Sequence, residues 1–319
     1  MNKKVLVTAT NFSQYCAQAK ALLEDGGVTV VESRFGRPMS FEELKERVGD
    51  IDAVIAGVDT WNERVFSFAP KLRVIARFGA GVDNIDLEAA RARNIKVTNA
   101  KGLNANAVAE MAVGLMLCAL RNIPHLVTSL RNGNWDRFMA IEMRGRTVGF
   151  LGFGDIARRT AEKLSGFGIR MIAYDMYPDR ERAKRLGVEM LSMEQVLRES
   201  DVVSLHIPSY PETYHIMGDA QFAAMKDGAY FINTARGALV DEAALARVLH
   251  SGKLTAAAID VFEHEPIKPG DPLFQVENLI MTPHSSAETY ETYTAVSLAN
   301  AQAVLNVLNG REPQNWINQ

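Results

Sequence analysis

The chain has 319 residues, 47% of them hydrophobic, and its 35 Lys and Arg against 38 Asp and Glu give a formal charge of −3. That length and apolar content suffice for two buried cores, and the dispersed, faintly acidic charge excludes the basic footprint of a nucleic-acid binder. The longest apolar run, from Ala107 to Leu120, is broken by Glu110 and too short to span a bilayer, while Cys16 and Cys118 form neither a disulfide framework nor a metal-ligand spacing, so a cytoplasmic protein without metal or membrane contact is expected.

Met1-Asn2-Lys3-Lys4 is a charged start, but the apolar run Val5–Val7 ends at Thr8, which predicts a first strand and not a signal peptide. Short apolar runs then alternate with helical patterns. Strands are expected at Val5–Val7, Val28–Val31, Ala53–Ala56, Val74–Ala76 and Lys96–Thr98, with helices near Ser13–Glu24 and Phe41–Val48. After a long apolar helix, Ala105–Leu120, a second series follows: Thr147–Leu151, Arg170–Tyr174, Val202–His206, Ala229–Asn233, Ala256–Asp260 and Leu279–Thr282. A last helix runs through Tyr293–Leu308. Strands separated by helices imply parallel sheets covered on both faces. The expected division is a substrate domain, 1–100 with 290–319, and a dinucleotide-binding domain, 101–289, the chain crossing between them twice.

The second series opens on Thr147-Val148-Gly149-Phe150-Leu151-Gly152-Phe153-Gly154-Asp155-Ile156-Ala157, a strand running through a glycine turn into a helix. Gly152 permits the tight turn, Gly154 lets backbone approach a pyrophosphate, and the helix N-terminus offers free N–H groups to the anion. Asp175 closes the next strand, roughly 20 residues further on, where an acceptor for the ribose hydroxyls is needed. A carboxylate there repels a 2′-phosphate, which selects NAD(H).

Open parallel sheets bind ligands beyond the carboxyl ends of their strands. Three reactive side chains follow the late strands: Arg236, Glu265 and His284. Reducing a 2-oxo acid by hydride needs a group that anchors carboxylate and ketone, a proton donor, and an acid to orient that donor. Arginine supplies a planar fork, histidine the proton, and glutamate a partner for the second imidazole nitrogen.

The motifs Asn233-Thr234-Ala235-Arg236-Gly237, Asp260-Val261-Phe262-Glu263-His264-Glu265-Pro266 and Thr282-Pro283-His284 resemble signatures of the D-isomer-specific 2-hydroxyacid dehydrogenases. Arg77-Phe78-Gly79-Ala80-Gly81-Val82-Asp83-Asn84 is similar to that family's substrate loop, and Asn104–Glu110 to its interdomain helix. The resemblance implies two Rossmann-like, doubly wound parallel-sheet domains with the active site in the cleft between them, and a homodimer built on the cofactor domain. It implies His284 as acid/base, Glu265 as its partner and Arg236 as substrate anchor. Backbone amides at Ala80 and Gly81, with Arg77 beside them, would receive the substrate carboxylate. Asp155 and Ile156 would hold the pyrophosphate, Asp175 the ribose, and Asp260 the nicotinamide carboxamide, with Thr234 a further cofactor contact.

Within the family the likeness is nearest to phosphoglycerate dehydrogenase-like members, since Arg77 and Arg137 are both placed in sequence to meet a phosphate. Against that, Gly57-Val58-Asp59 stands where many of those enzymes carry an arginine, and an added carboxylate weakens a phosphate pocket. Hydroxypyruvate or glyoxylate is the alternative substrate. An NAD(H)-sensing corepressor-like scaffold is the alternative of another class.

Overall fold

A computed structural model describes residues 3–33 and 35–319; Met1, Asn2 and Arg34 lie outside the described residues. The chain divides into two compact units, Met1–Asn104 with Glu288–Gln319, and Ala105–Ala287.

The first unit is built on a five-stranded sheet ordered β2-β1-β3-β4-β5, all pairs parallel. Its strands are β1 Lys3–Val7, β2 Val28–Glu32, β3 Ala53–Ala56, β4 Val74–Arg77 and β5 Lys96–Thr98. Side chains alternate across a strand, so Val5 and Val7 enter one core with Ile55 and Ala76, while Leu6 enters the opposite one with Val54 and Ile75. Both faces therefore need cover. The terminal helix Tyr290–Leu308 supplies much of it on one side, placing Val304, Leu305 and Leu308 against the first core.

The second unit holds a seven-stranded parallel sheet ordered β12-β11-β10-β9-β6-β7-β8. Its strands are β6 Thr147–Leu151, β7 Arg170–Tyr174, β8 Val188–Met190, β9 Val202–Leu205, β10 Ala229–Asn233, β11 Leu254–Ile259 and β12 Leu279–Met281. The strand order reverses between β6 and β9, and ligands of such sheets bind beyond the carboxyl ends at that switch.

Two elements escape the sequence pattern. The edge strand β8 is three residues long with Glu189 at its centre, too short and too polar to carry a periodicity. The helix Ile123–Arg131 carries Ile123, Leu126, Val127 and Leu130 at helical spacing yet buries only Ser129, so its apolar stripe stays outside the core of its own unit. The helix expected near Ser13–Glu24 is two, Phe12–Tyr15 and Ala17–Asp25, broken at Cys16.

Among the described residues no single helix is long and apolar enough to cross a membrane. Ala105–Arg121 passes only together with Ile123–Arg131, from which it is bent by 65°, and its Leu115, Met116 and Leu120 are core residues of the second unit.

Candidate active site

The glycine turn joins β6 to the helix Asp155–Leu164. Gly152 has φ +88°, and a Cβ there would lie 2.7 Å from the carbonyl of His206 just beyond β9, so glycine is required both for the turn and for the close approach of the two strand ends. At Gly154 a Cβ would meet nothing within 4 Å. That open space stands before the amides of Asp155 and Ile156, the first residues of the helix, where N–H groups have no intrahelical acceptor. A pyrophosphate fits such a cradle.

Asp175, directly after β7, accepts hydrogen bonds from Phe153 N at 2.7 Å and Tyr177 N at 2.8 Å. The carboxylate thus braces the glycine turn while staying half-buried. It lines a cavity of about 450 Å³ with Tyr174, Arg180, Leu191 and Gln195, at the place an adenosine ribose would occupy. Thr234, beyond β10, is buried with a hydroxyl that has no protein partner, an orphaned group of the kind a ligand satisfies. Burial of its ring lowers His206 to about 4, and its Nε2 lies 2.9 Å from Ser204 Oγ. It is a neutral wall residue at physiological pH, not an acid.

At the other strand ends the structure brings Glu265 and His284 together: His284 Nδ1 lies 2.6 Å from Glu265 Oε2. Glu265 Oε1 accepts from Phe262 N at 2.9 Å. Burial raises the Glu265 pKa, but the hydrogen bond and charge of His284, the Phe262 amide and the Arg236 charge outweigh it and hold the carboxyl below its ordinary value. An ionised acceptor obliges Nδ1 to donate, which leaves Nε2 as the exchanging nitrogen on an exposed face.

Arg236 stands on the turn after β10 and donates from Nη1 to Ala235 O at 2.7 Å. The next residue explains how this turn meets the one carrying Glu265. A Cβ on Gly237 would lie 1.8 Å from the Phe262 carbonyl carbon and 2.2 Å from Glu263 N, so the two backbones are in direct contact and only glycine fits.

Asp260 also holds its own loop. It is 0% exposed. Its Oδ1 accepts from Thr282 Oγ1 at 2.5 Å and Ser285 N at 2.9 Å, and its Oδ2 from Ser286 N at 2.8 Å and Ser286 Oγ at 2.5 Å. These four donors converge on one carboxylate. Asp260 fixes the loop on which His284 stands, and its backbone carbonyl accepts His284 N at 2.8 Å. His284 itself has φ +50°, a left-handed conformation unusual for a side-chain-bearing residue and maintained by this clamp. Thr282, Ser285 and Ser286 carried no functional signal in sequence because small hydroxyl residues are ordinary in loops.

In the first unit, Arg77 ends β4 and the loop after it holds Ala80 and Gly81. The carbonyl of Gly79 accepts Ala100 N at 2.8 Å and that of Ala80 accepts Asn99 Nδ2 at 2.7 Å. In a trans peptide the N–H points opposite to its carbonyl, so the amides of Ala80 and Gly81 face away from these partners. Arg77 Nη1 donates to Phe78 O, and its guanidinium lies within 3.0 Å of where a Gly79 Cβ would be. Asp59 is 1% exposed and accepts Met39 N at 2.5 Å. Burial pushes its pKa up, against the hydrogen bonds of Thr8 and Met39 and the charge of Arg77.

A parallel α/β unit with a glycine turn, an acidic strand end and an imidazole–carboxylate pair at its carboxyl edge has the architecture of the dinucleotide-binding oxidoreductases. The chain belongs to the D-isomer specific 2-hydroxyacid dehydrogenase family: residues 113–286 match that family's NAD binding domain. It is 42% identical to the D-3-phosphoglycerate dehydrogenase of Methanocaldococcus jannaschii, over 94% of this chain and 57% of that protein. It is 38% identical to the glyoxylate reductase of Korarchaeum cryptofilum, over 88% of this chain and 87% of that protein. The chain thus spans little more than half the length of the phosphoglycerate dehydrogenases it matches. The apo-structure of D-lactate dehydrogenase from Escherichia coli superposes with a TM-score of 0.84 at 32% identity, over 98% of this chain and 99% of that one. Among the described residues no group of three His, Cys, Asp or Glu is disposed to hold a metal.

Proposed function

We propose that this chain interconverts a 2-oxo acid and the corresponding D-2-hydroxy acid with NAD(H). The observation that carries the reading is the 2.6 Å pair of His284 and Glu265, on a turn in backbone contact with the one bearing Arg236. The bound nicotinamide would supply the hydride in reduction and accept it in oxidation. His284 holds a proton at Nε2 for the developing alkoxide and removes it from the hydroxyl in the reverse direction. Glu265 fixes the ring through Nδ1, and Arg236 orients the substrate through its planar fork. The substrate carboxylate goes to the amides of Ala80 and Gly81. Asp155, Ile156, Asp175 and Thr234 serve the cofactor.

Of the two substrate classes, an unphosphorylated acid such as glyoxylate or hydroxypyruvate is the better supported. Gly57-Val58-Asp59 stands where many phosphoglycerate enzymes carry an arginine, so a cation that a phosphate pocket would use is missing there.

The same reading includes a cytoplasmic homodimer built on the second unit. There Leu130, Trp135 and Met139 are 60, 83 and 99% exposed on one short stretch, an apolar surface of the kind that marks association. Trp135→Glu should then yield a monomer by light scattering.

The deciding experiment is the initial rate of NADH oxidation with equal concentrations of glyoxylate, hydroxypyruvate, 3-phosphohydroxypyruvate and a bulky 2-oxo acid. Preference for an unphosphorylated acid is expected. Preference for the phosphorylated one would overturn the substrate assignment and make Arg77 and Arg137 its ligands, and no turnover despite NADH binding would favour a sensing scaffold.

A further inference from the structure

Two residues on the loop after β9, outside the set just described, touch both catalytic turns. His215 N donates to Ala238 O at 2.9 Å, in the turn that follows Arg236. The His215 ring lies with Nε2 3.2 Å from Glu263 Oε1, and Tyr214 Oη donates to the same oxygen at 2.5 Å. Glu263 stands two residues before Glu265. The two rings stack with centroids 3.9 Å apart and 16° between their planes. His215 also sits in the left-handed region at φ +49°, a conformation that persists in such a residue only where its surroundings impose it.

We propose that Tyr214 and His215 are positioning residues that set the Glu265–His284 pair by clasping Glu263. The proposal rests on the dehydrogenase reading for its consequences in turnover, though not for its geometry. Glu263 is gripped at both ends, its carboxylate by Tyr214 and His215 and its amide by Glu242 Oε1 at 2.8 Å. The preceding amide, Phe262 N, holds Oε1 of Glu265, whose other oxygen meets His284. Displacing Glu263 therefore moves its neighbour Phe262, whose N–H on the preceding peptide holds the carboxylate that orients the imidazole. The backbone link from His215 to Ala238 adds the Arg236 turn to the same assembly.

The charges around the clasp are arranged to keep it closed. Burial raises the Glu263 carboxyl, but hydrogen bonds from Tyr214 and His215 and the charges of His215 and His264 hold it below its ordinary value. Glu242 is pushed up, chiefly by burial and also by the Glu263 and Asp271 charges, against its bond from the Glu263 amide. The hydrogen bond to Glu263, then burial and the charges of Glu263 and Asp241, raise the Tyr214 hydroxyl, so it stays a donor. One ionised carboxylate is thereby shared by two donors.

The test combines Tyr214→Phe with His215→Gly in the full chain. Glycine accepts the left-handed backbone without strain, so a purely conformational role for His215 would be preserved while the clasp is lost. The NMR resonance of the His284 Nδ1 proton, held by Glu265 in the wild type, should move upfield or be lost to solvent exchange, because a displaced Glu265 no longer holds that N–H. Turnover of the preferred 2-oxo acid should fall about 10-fold, with the KM for NADH within about twofold of the wild type. A His284 Nδ1 proton resonance and a kcat both matching the wild type would overturn the proposal. If the wild type turns over no 2-oxo acid, the functional reading fails on its own, and the His284 Nδ1 proton resonance still decides whether the clasp positions Glu265.

Discussion

The glycine turn of β6 and the His284 loop of β12 lie at the carboxyl edge of one sheet and are built by opposite means. The first works by omission: Gly152 admits a neighbouring backbone, Gly154 leaves open space, and the donors are main-chain amides. The second works by crowding: a fully buried Asp260 bonded by Thr282, Ser285 and Ser286 holds one side of His284, and Glu265 holds the other. A phosphate carries its own charge and needs only backbone to come close, whereas a proton donor must be aimed, which takes partners on every side.

That contrast breaks most sharply at His284. His284→Ala should lower turnover by at least about 100-fold while leaving NADH affinity nearly unchanged; steady-state rates with NADH fluorescence titration check this, and near-normal turnover would remove His284 from the mechanism. Paired glycine variants compare the two regions directly. Gly237→Ala must push the Phe262–Glu263 peptide aside, so about a 10-fold or greater loss of turnover and a lowered Tm are expected. Gly154→Ala should keep the wild-type Tm and weaken NADH binding about 10-fold, since its Cβ enters only the space reserved for the cofactor. Unchanged NADH affinity in that variant would place the pyrophosphate elsewhere.

Asp175→Ala should narrow the preference for NAD over NADP, read as the ratio of kcat/KM values, because the carboxylate that repels a 2′-phosphate is gone. An unchanged ratio would confine Asp175 to bracing Phe153 N. The smallest effect concerns pH. The Glu265 carboxyl lies below its ordinary value in the folded protein, so its contribution to stability is present above the unfolded pKa and is lost as pH falls through the folded one. Glu265→Gln should therefore have a slightly lower Tm than the wild type at pH 7, and the gap should close on acidification below about pH 4. A gap independent of pH would show that the charge contributes nothing.

The cofactor end was legible in the sequence because its signals are local: strand, glycine turn, helix and acid follow one another along the chain, and each residue type has a steric or electrostatic reason to be where it is. Arg236, Glu265 and His284 were legible as strand-end residues in matching order. Their supports were not. Asp260 reads in sequence as a cofactor contact, and its role in holding the His284 loop emerges only from the convergence of Thr282, Ser285 and Ser286 on its oxygens. Gly237 reads as the end of a motif until the Phe262 backbone is seen against it. Tyr214 and His215 left no trace, since stacking on each other and sharing Glu263 joins segments far apart in the chain.

The sequence by itself determined the periodicities that make two parallel sheets, the glycine turn, and the three side chains fit for hydride-coupled proton transfer, because apolar alternation and residue chemistry are properties of neighbours. Only the tertiary structure decided that β8 extends the second sheet to seven strands, that Asp260 holds the His284 loop, and how the Arg236 and Glu265 turns are set against each other. Those outcomes depend on which distant segments a buried carboxylate or a missing Cβ brings into contact, and no local pattern encodes that.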